Sequence, residues 1–445
     1  MKKLPAEFEQ RIRQTHADAQ EFLDAISNEP FYSIRLNTRK PAQLSLDLSD
    51  RVQWCDDAYY LSTRPNYTLM PEFHAGAIYP QEASSMFLRT IFNNINSELP
   101  QQPIVLDLCA APGGKSTLVA QFLNGRGLLV ANEYIRSRAW ILAENVTKQG
   151  FANTMITNGD AASFAQLGAM FDVVLIDAPC SGEGMFRKDD VAIAEWTPAN
   201  ANMCANRQRE IIENIADSIV EGGYMIYSTC TFNPAENEEN MQWLLDNYDF
   251  ENIQIPISEN SGITTLHFKN GEGYAFYPHK VRGEGFFVCV MRKTSGRKRK
   301  QLKLPKMQKG LASNNIINSD SYNFYIIDNK QIAIPNETSE TAVALSSALR
   351  PLRTGIEVSE VTRKGDAPSP TFPLSLAFNH ESLPLLNVDR DAALKFLHGD
   401  ALASAELPQG WFVVQHNGLA LGLCKSVGSR ANNYYPKEWR IRSNV

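Results

Sequence analysis

The sequence predicts an α/β protein centred on a doubly wound, largely parallel sheet, with a small α/β module before it and a strand-rich part after it. Three observations carry this. From residue 101 short apolar runs alternate with longer amphipathic ones, the order of βαβ units. The first of those runs passes directly into a glycine turn, VLDLCAAPGGKST (105–117). Beyond about residue 310 the helical period fades and pairs of strands with turn residues between them replace it. A chain of 445 residues has room for about three domains. The expected divisions are 1–100, 101–295 and 313–445, with a basic linker over 296–312.

The elements follow in order. Residues 4–28 read as a helix, with apolar positions among charges and Pro30 just beyond. FYSIRLNTRK (31–40) alternates like a half-buried strand, VQWCDDAYYLS (52–62) reads as another, and Pro65, Pro71 and Pro80 punctuate an irregular stretch. IVLDLCA (104–110) is apolar without a break, as suits a parallel strand covered on both faces. LLVANE (128–133) is the next strand of that sheet, preceded by the turn Asn124-Gly125. In YIRSRAWILAENVTKQG (134–150) Ile135, Ala139, Leu142 and Val146 share a helical face, and Gly150 is a natural stop. TMITN (154–158) and FDVVLID (171–177) are the third and fourth strands. Ile211, Ile212, Ile215 and Ile219 mark a helix ending at Gly222-Gly223, and YMIYST (224–229) is the fifth strand. GFFVCVMRK (285–293) is placed last, at the sheet edge. YNFYIIDNKQIAIP (322–335) and FVVQHNGLALGLCK (412–425) read as hairpins turning at Asp328-Asn329 and Asn417-Gly418.

Composition narrows the function classes. Hydrophobic and charged fractions of 43% and 21% belong to an ordinary globular chain. No run approaches the ~18 apolar residues of a membrane span, and MKKLPAEFEQRIRQ lacks the apolar stretch of a secretory signal. Seven scattered cysteines, with no CxxC and no zinc spacing, argue against a disulfide framework or a metal site. A cytoplasmic protein without a metal, acting as a monomer away from membranes, is the expectation. The net charge of −6 does not announce a nucleic-acid partner, but RKTSGRKRKQLKLPK (292–306) holds eight Lys/Arg and no acid. That run is either a solvated linker or an arm that contacts phosphates.

The glycine turn permits two readings. A phosphate-binding loop needs GxxxxGK[ST], and Gly114-Lys115-Ser116 comply. Cys109, however, stands where the first glycine belongs, and Pro112 removes an N–H from a loop that should wrap phosphates. The alternative is the first turn of a doubly wound sheet, with a ligand at the carboxyl ends of the strands. Gly113 and Gly114 then allow close backbone approach. Glu133 ends the second strand and suits a ribose diol. Asp160 follows the third strand, within reach of an adenine amine, and Asp177 ends the fourth. Together they fit an adenosine ligand without a phosphate tail, such as S-adenosylmethionine; each acid alone is no more than a strand-end cap.

Two cysteines lie just beyond strand ends on the same side. Cys180 follows Pro179 in DAPCSGEG (177–184), and Cys230 lies in STCTFNPAENEEN (228–240). A lone cysteine is more commonly a buried structural residue. Here Gly, Ser, Thr and Pro flank both, the composition of a rim rather than a core. Asn233, Pro234 and Glu236 form a helix-start signature, which would put a partial positive charge near Cys230 and favour its thiolate.

These motifs together resemble the Nol/Nop/Sun family of RNA cytosine-5 methyltransferases. LDLCAAPGGKST, DAPCSGEG and STCTFNPAENEEN are similar to its cofactor, Pro-Cys and Thr-Cys motifs, across residues ~75–293. FYSIRLNT resembles the strand that precedes the catalytic domain. GLCKSVGSRANNYYPKEWRI (422–441) resembles the C-terminal region of the bacterial RsmF-type ribosomal-RNA branch, with its PUA-like domain. The resemblance implies a Rossmann-like, S-adenosylmethionine-dependent core and an RNA substrate, ribosomal RNA or an assembling subunit. It implies that Cys230 is the nucleophile attacking carbon 6 of a cytosine, that Asp177 holds the base, and that Cys180 assists removal of the carbon 5 proton. Cys109, Ala110, Ala111, Pro112, Gly113, Gly114 and Lys115, with Glu133, Asp160 and Asp177, would hold the cofactor. Arg138 matches a family arginine near the cofactor, and Lys188 a lysine near the base. The alternatives are the same chemistry on transfer RNA, a catalytically silent RNA-binding assembly factor, and an NTPase, the last disfavoured by Cys109 and Pro112.

Overall fold

Alternate residues of the central strands face opposite ways, and each set has its own core. Val105, Leu129, Val173, Leu175 and Ile226 enter one buried cluster. Leu106, Val130, Val174, Ile176 and Met225 enter the other. This period of two, with both faces covered, is why these strands read as unbroken apolar runs. The structure is a computed structural model and describes residues 2–363, 365–403 and 407–442.

Three short antiparallel strands come first, β1 (Tyr32–Leu36) between β2 (Ala58–Leu61) and β3 (Ile78–Pro80). The main sheet is built on β4 (Ile104–Asp107), β5 (Leu128–Asn132), β6 (Thr154–Thr157), β7 (Phe171–Asp177) and β8 (Ile219–Thr229). These are parallel, in the spatial order β8-β7-β4-β5-β6. The chain moves outward from β4 to β6, then returns to the other side of β4 as β7. That reversal is the topological switch of a Rossmann-like sheet, where a crevice opens at the carboxyl ends of the strands. Asp107 and Asp177 stand at those ends.

Several elements differ from the sequence expectation. Residues 4–28 form two helices, Ala6–Thr15 and Ala19–Ile26, rather than one. Only Ala58–Leu61 of the 52–62 run is strand. The helix before β8 spans Pro198–Ile215, starting where Thr197 accepts a hydrogen bond from the Asn200 N–H at 3.1 Å. Ile219 and Gly222-Gly223 therefore belong to β8, where the register against β7 shifts between Phe171 and Val173. The last apolar strand is not an edge. β9 (Phe250–Asn252), β10 (Thr264–Phe268) and β11 (Gly271–Phe276) precede β12 (Phe286–Lys293), which pairs with β8 on one side and β11 on the other.

The parts on either side of this sheet are packed into it. Phe8, Ile12, Phe22 and Leu23 of the N-terminal helices bury against Phe186, Trp196, Phe232 and Tyr277. On the C-terminal side Arg353–Thr354 pairs with β6 and extends the main sheet, while Tyr325, Ile332 and Ile334 enter the cluster that holds Leu106. Both hairpins form, with Asp328 and Asn329 at φ 48° and 60°, and Asn417 and Gly418 at 47° and 80°. The basic run crosses the amino ends of the strands. Lys293 donates to Ala216 O at 2.7 Å, the Lys300 N–H to Ala169 O at 2.8 Å, and Arg299 pairs with Asp172. Its exposed residues Arg297, Lys298, Lys303 and Lys306 thus lie opposite the switch-point crevice. No described helix is long and apolar enough to cross a membrane.

Lys40 joins all three parts. Its ammonium donates to Ala75 O at 2.9 Å, Lys148 O at 2.6 Å and Leu374 O at 2.6 Å. A Cβ at Gly150, where φ is +86°, would come within 2.4 Å of that Leu374 oxygen, so glycine is required for this approach. Lys40→Met would leave three carbonyls without a donor. A loss of at least about 3 kcal/mol of stability is expected, read as a shift in the urea unfolding midpoint.

Candidate active site

β7 and β8 end side by side, with Asp177 opposite Ser228. The loops that leave them, 178–184 and 230–240, therefore depart together. Backbone bonds tie their bases: Ala178 N–H to Ser228 O and Gly184 N–H to Cys230 O, both 2.8 Å. A Cβ at Gly184 would lie 2.8 Å from that Cys230 oxygen, so the approach needs glycine. The Cys180 and Cys230 sulfurs are 3.3 Å apart.

Two buried glutamates lace these loops reciprocally. Glu183, from the first loop, accepts from Phe232 N–H of the second at 3.0 Å; it also accepts from the Trp196 indole at 3.0 Å and from Arg11 at 2.5 Å. Glu236, from the second loop, accepts from the N–H of Ser181 in the first at 2.9 Å, from the Ser181 hydroxyl at 2.5 Å and from Gln208 at 3.0 Å. Glu183 is 1% exposed and Glu236 0%. Arg11 brings the N-terminal helix into the arrangement and also donates to Phe232 O at 3.1 Å.

The two thiols are not equivalent. The hydrogen bond to Cys230, followed by burial, pushes the Cys180 thiol well above its ordinary pKa. The expected helix N-terminus is not beside Cys230. Asn233 closes a turn by accepting from Ala235 N–H at 3.1 Å, and the helix begins only at Glu238. Lys115 supplies the positive charge instead. Its ammonium lies 2.7 Å from Asp177. Burial opposes that charge, but the Asp177 carboxylate outweighs burial and holds the Lys115 pKa above its usual value, with Cys230 among the lesser contributors. Asp177 also accepts from the Ser228 hydroxyl at 3.0 Å.

The glycine turn forms one wall of the crevice. Gly113 sits at φ +116° and the helix Gly114–Leu123 starts immediately after it. Its first bond, Thr117 N–H to Gly113 O, leaves the amides before it outside the helical ladder. Glu133 is buried and accepts from Ile135 N–H at 2.9 Å. Arg138 lies 3.5 Å from Glu133 and donates to Ala111 O at 2.8 Å, so it couples the acid to the turn. Ala110 N–H bonds Asn132 O at 2.8 Å, and Pro112 O accepts from Asn145 at 2.8 Å. Burial raises the pKa of the Cys109 thiol, which leaves its backbone, not a thiolate, to face a ligand.

One carboxylate here went unnoticed in the sequence. Asp107 is fully buried; its Oδ2 accepts from the Ser116 hydroxyl at 2.6 Å, and its Oδ1 has no partner among the described residues. Burial pushes its pKa up to about 7. An acid closing an otherwise apolar strand was the available signal. Asp177 and Asp107 beside Lys115, and Glu133 beside Arg138, leave both cations committed to carboxylates, which disfavours a triphosphate and suits a ligand with a positive centre, such as the sulfonium of S-adenosylmethionine. The residues present fit that cofactor.

Two further expected site residues have partners outside the two cysteine loops. Asp160 is exposed, and its Oδ1 caps the helix Ala161–Ala165 by accepting from Ser163 N–H at 2.9 Å and the Ser163 hydroxyl at 2.6 Å. Lys188 lies 3.4 Å from Glu284 and lines a cleft of about 930 Å³ beside β1; no contact among the described residues joins it to either thiol. Glu183→Ala would strand Arg11, the Trp196 N–H and the Phe232 N–H. A thermal melt should show a loss of about 3–5 kcal/mol, and the variant's methyl-transfer rate should fall with it.

Comparison with known proteins places this geometry. A family model described as 16S rRNA methyltransferase RsmB/F matches residues 95–292. Models for the N-terminal domain of 16S rRNA methyltransferase RsmF and for the methyltransferase RsmF PUA domain match 4–83 and 384–441. The chain is 30% identical to the ribosomal RNA small subunit methyltransferase F of Shewanella frigidimarina, over 97% of this chain and 96% of that one. It is likewise 30% identical to the protein of that name from Aliivibrio fischeri, over 98% and 97%. Among solved structures, a methyltransferase homolog from Pyrococcus horikoshii superposes with a TM-score of 0.54 at 28% identity, covering 64% of this chain and 94% of that one. NSun6 from Pyrococcus horikoshii shares the fold, with a TM-score of 0.55 at 21% identity over 65% of this chain and 98% of that one.

Proposed function

The chain belongs to the ribosomal RNA small subunit methyltransferase F family, and from that premise we propose that it methylates carbon 5 of a cytosine in 16S ribosomal RNA through a covalent bond between Cys230 and the base. The observation that carries this reading is the pair of sulfurs 3.3 Å apart where β7 and β8 end, next to the Asp177–Lys115 ion pair. Carbon 5 of cytosine is a poor nucleophile, and a thiolate added at carbon 6 corrects that. The Cys230 sulfur gives its electron pair to carbon 6, and the ring electrons move onto the nitrogen and carbonyl side of the base. Asp177 accepts a hydrogen bond from the amino group of the base and positions it, and the Lys115 ammonium, 2.7 Å from Asp177, offsets the negative charge that builds on the ring.

S-adenosylmethionine is the cofactor and supplies the methyl group. The backbone of Cys109–Lys115 would hold it, Glu133, which Arg138 fixes at 3.5 Å, would accept from the ribose hydroxyls, and Asp160 would serve the adenine side. Release requires the carbon 5 proton to pass to solvent water, its bonding pair restoring the carbon 5–carbon 6 double bond while the carbon–sulfur pair returns to Cys230; Cys180, 3.3 Å from that sulfur, assists this transfer. Lys188 stands at the mouth of the site on the side of the RNA. The target base must leave its stack to enter, and the matched PUA segment and the N-terminal module grip the RNA around it.

Cys230→Ala should abolish methyl transfer and leave S-adenosylmethionine affinity within about two-fold, measured by calorimetry; retained activity contradicts the nucleophile assignment. Cys180→Ala should accumulate an enzyme–RNA adduct that survives denaturing electrophoresis, and its absence with a competent RNA contradicts the release role. Bisulfite mapping of 16S ribosomal RNA from cells with and without the gene should differ at a cytosine.

A further inference from the structure

The proline-punctuated stretch takes no part in the chemistry above, yet it builds a wall. Pro65 and Pro80, with Phe31, Arg64 and Tyr67, line the cleft of about 930 Å³ together with Arg187 and Lys188. Arg187 and Lys188 come from the segment that follows the loop holding Cys180 and Glu183, so the same stretch of chain serves the cleft and the active site. Its volume suits a small ligand rather than a duplex.

The chemistry of the lining is specific. Phe31 is 39% exposed, and the guanidinium carbons of Arg187 and Arg282 each lie 5.6 Å from its ring centroid. Tyr67 is half-buried, its ring 6.2 Å from Phe73. Arg64 is exposed and forms no ion pair among the described residues. The lining sets one acid against Arg64, Arg187 and Lys188, and that acid is turned to backbone: Glu82 accepts from the N–H groups of Ser84 at 3.0 Å, Ser85 at 2.9 Å and Glu284 at 3.1 Å. Glu284 itself is shared by Arg187 at 3.6 Å and Lys188 at 3.4 Å. Positive charge is left over beside exposed aromatic faces, the combination that binds single-stranded nucleic acid by stacking and phosphate contact.

We propose that this cleft is a subsite for an unpaired nucleotide of the RNA next to the target cytosine, its base stacked against the Phe31–Tyr67 wall and its phosphate paired with Arg64. This rests on the RNA-methyltransferase reading. Extracting the target base leaves its neighbours unstacked, and a subsite beside the catalytic loop gives one of them a new face to stack on. The rigid proline walls hold the rings in place before the RNA arrives, which lowers the ordering cost of binding.

The test uses the full-length protein and unmodified 16S ribosomal RNA, free and in the small subunit, in steady-state methyl transfer. Phe31→Ala and Arg64→Ala should each raise the RNA KM about 10-fold. Both should leave kcat within about two-fold and S-adenosylmethionine affinity unchanged, and Phe31→Tyr and Arg64→Lys should restore most of the loss. Arg64→Ala should also lower the slope of log affinity against log salt by about 1. If the wild type methylates these RNAs and both alanine variants keep its KM and salt slope, the subsite is refuted while the enzyme reading stands. If the wild type neither binds nor methylates either RNA, the enzyme reading fails and the subsite with it.

Discussion

The site depends on the exchange of buried carboxylates between two loops. Glu183 caps backbone of the Cys230 loop, and Glu236 caps backbone of the Cys180 loop. Removing one partner from a buried carboxylate costs several kcal/mol, so neither loop can swing away without stranding a charge. The 3.3 Å spacing of the sulfurs is therefore imposed by groups that do no chemistry themselves. It also explains the N-terminal helices: Arg11 completes the Glu183 shell, and Phe8 and Phe22 cover it.

The second constraint is topological. β7 lies between β4 and β8, so its final residue, Asp177, borders both the cofactor crevice and the cysteine loops. Lys115 reaches across from the glycine turn to meet it at 2.7 Å. In the proposed reaction this ion pair couples the turn that would hold the methyl donor to the carboxylate that would hold the base. Arg138 plays the corresponding part on the other flank, between Glu133 and Ala111. The lysine that made the turn look like a phosphate cradle is committed to a carboxylate.

What the sequence disclosed follows from what each feature needs. Strands covered on both faces must be apolar throughout, and β4 through β8 were legible for that reason. The Asp328-Asn329 and Asn417-Gly418 turns were legible because positive φ demands such residues. β12 was placed at the edge because β10 is short and half-buried and β11 opens Gly-Glu-Gly, so neither offers an apolar run long enough to stand out as a strand. The helix start at Asn233 failed for a physical reason: a capping glutamate must reach back to its own N-cap, and Glu236 spends both oxygens on Ser181 and Gln208. Contacts across about fifty residues of sequence, Glu183 to Phe232 and Glu236 to Ser181, leave no local pattern to read.

The central claim is a division of labour between two adjacent thiols, with Cys230 bonding to the base and Cys180 serving release. The most direct measurement incubates the wild-type enzyme and S-adenosylmethionine with 16S ribosomal RNA carrying 5-fluorocytidine, whose fluorine blocks loss of the carbon 5 substituent. The linked peptide is then identified by mass spectrometry. A stable adduct on the peptide containing Cys230 is the predicted result. An adduct on Cys180, or none while the unsubstituted RNA is methylated, would contradict the account.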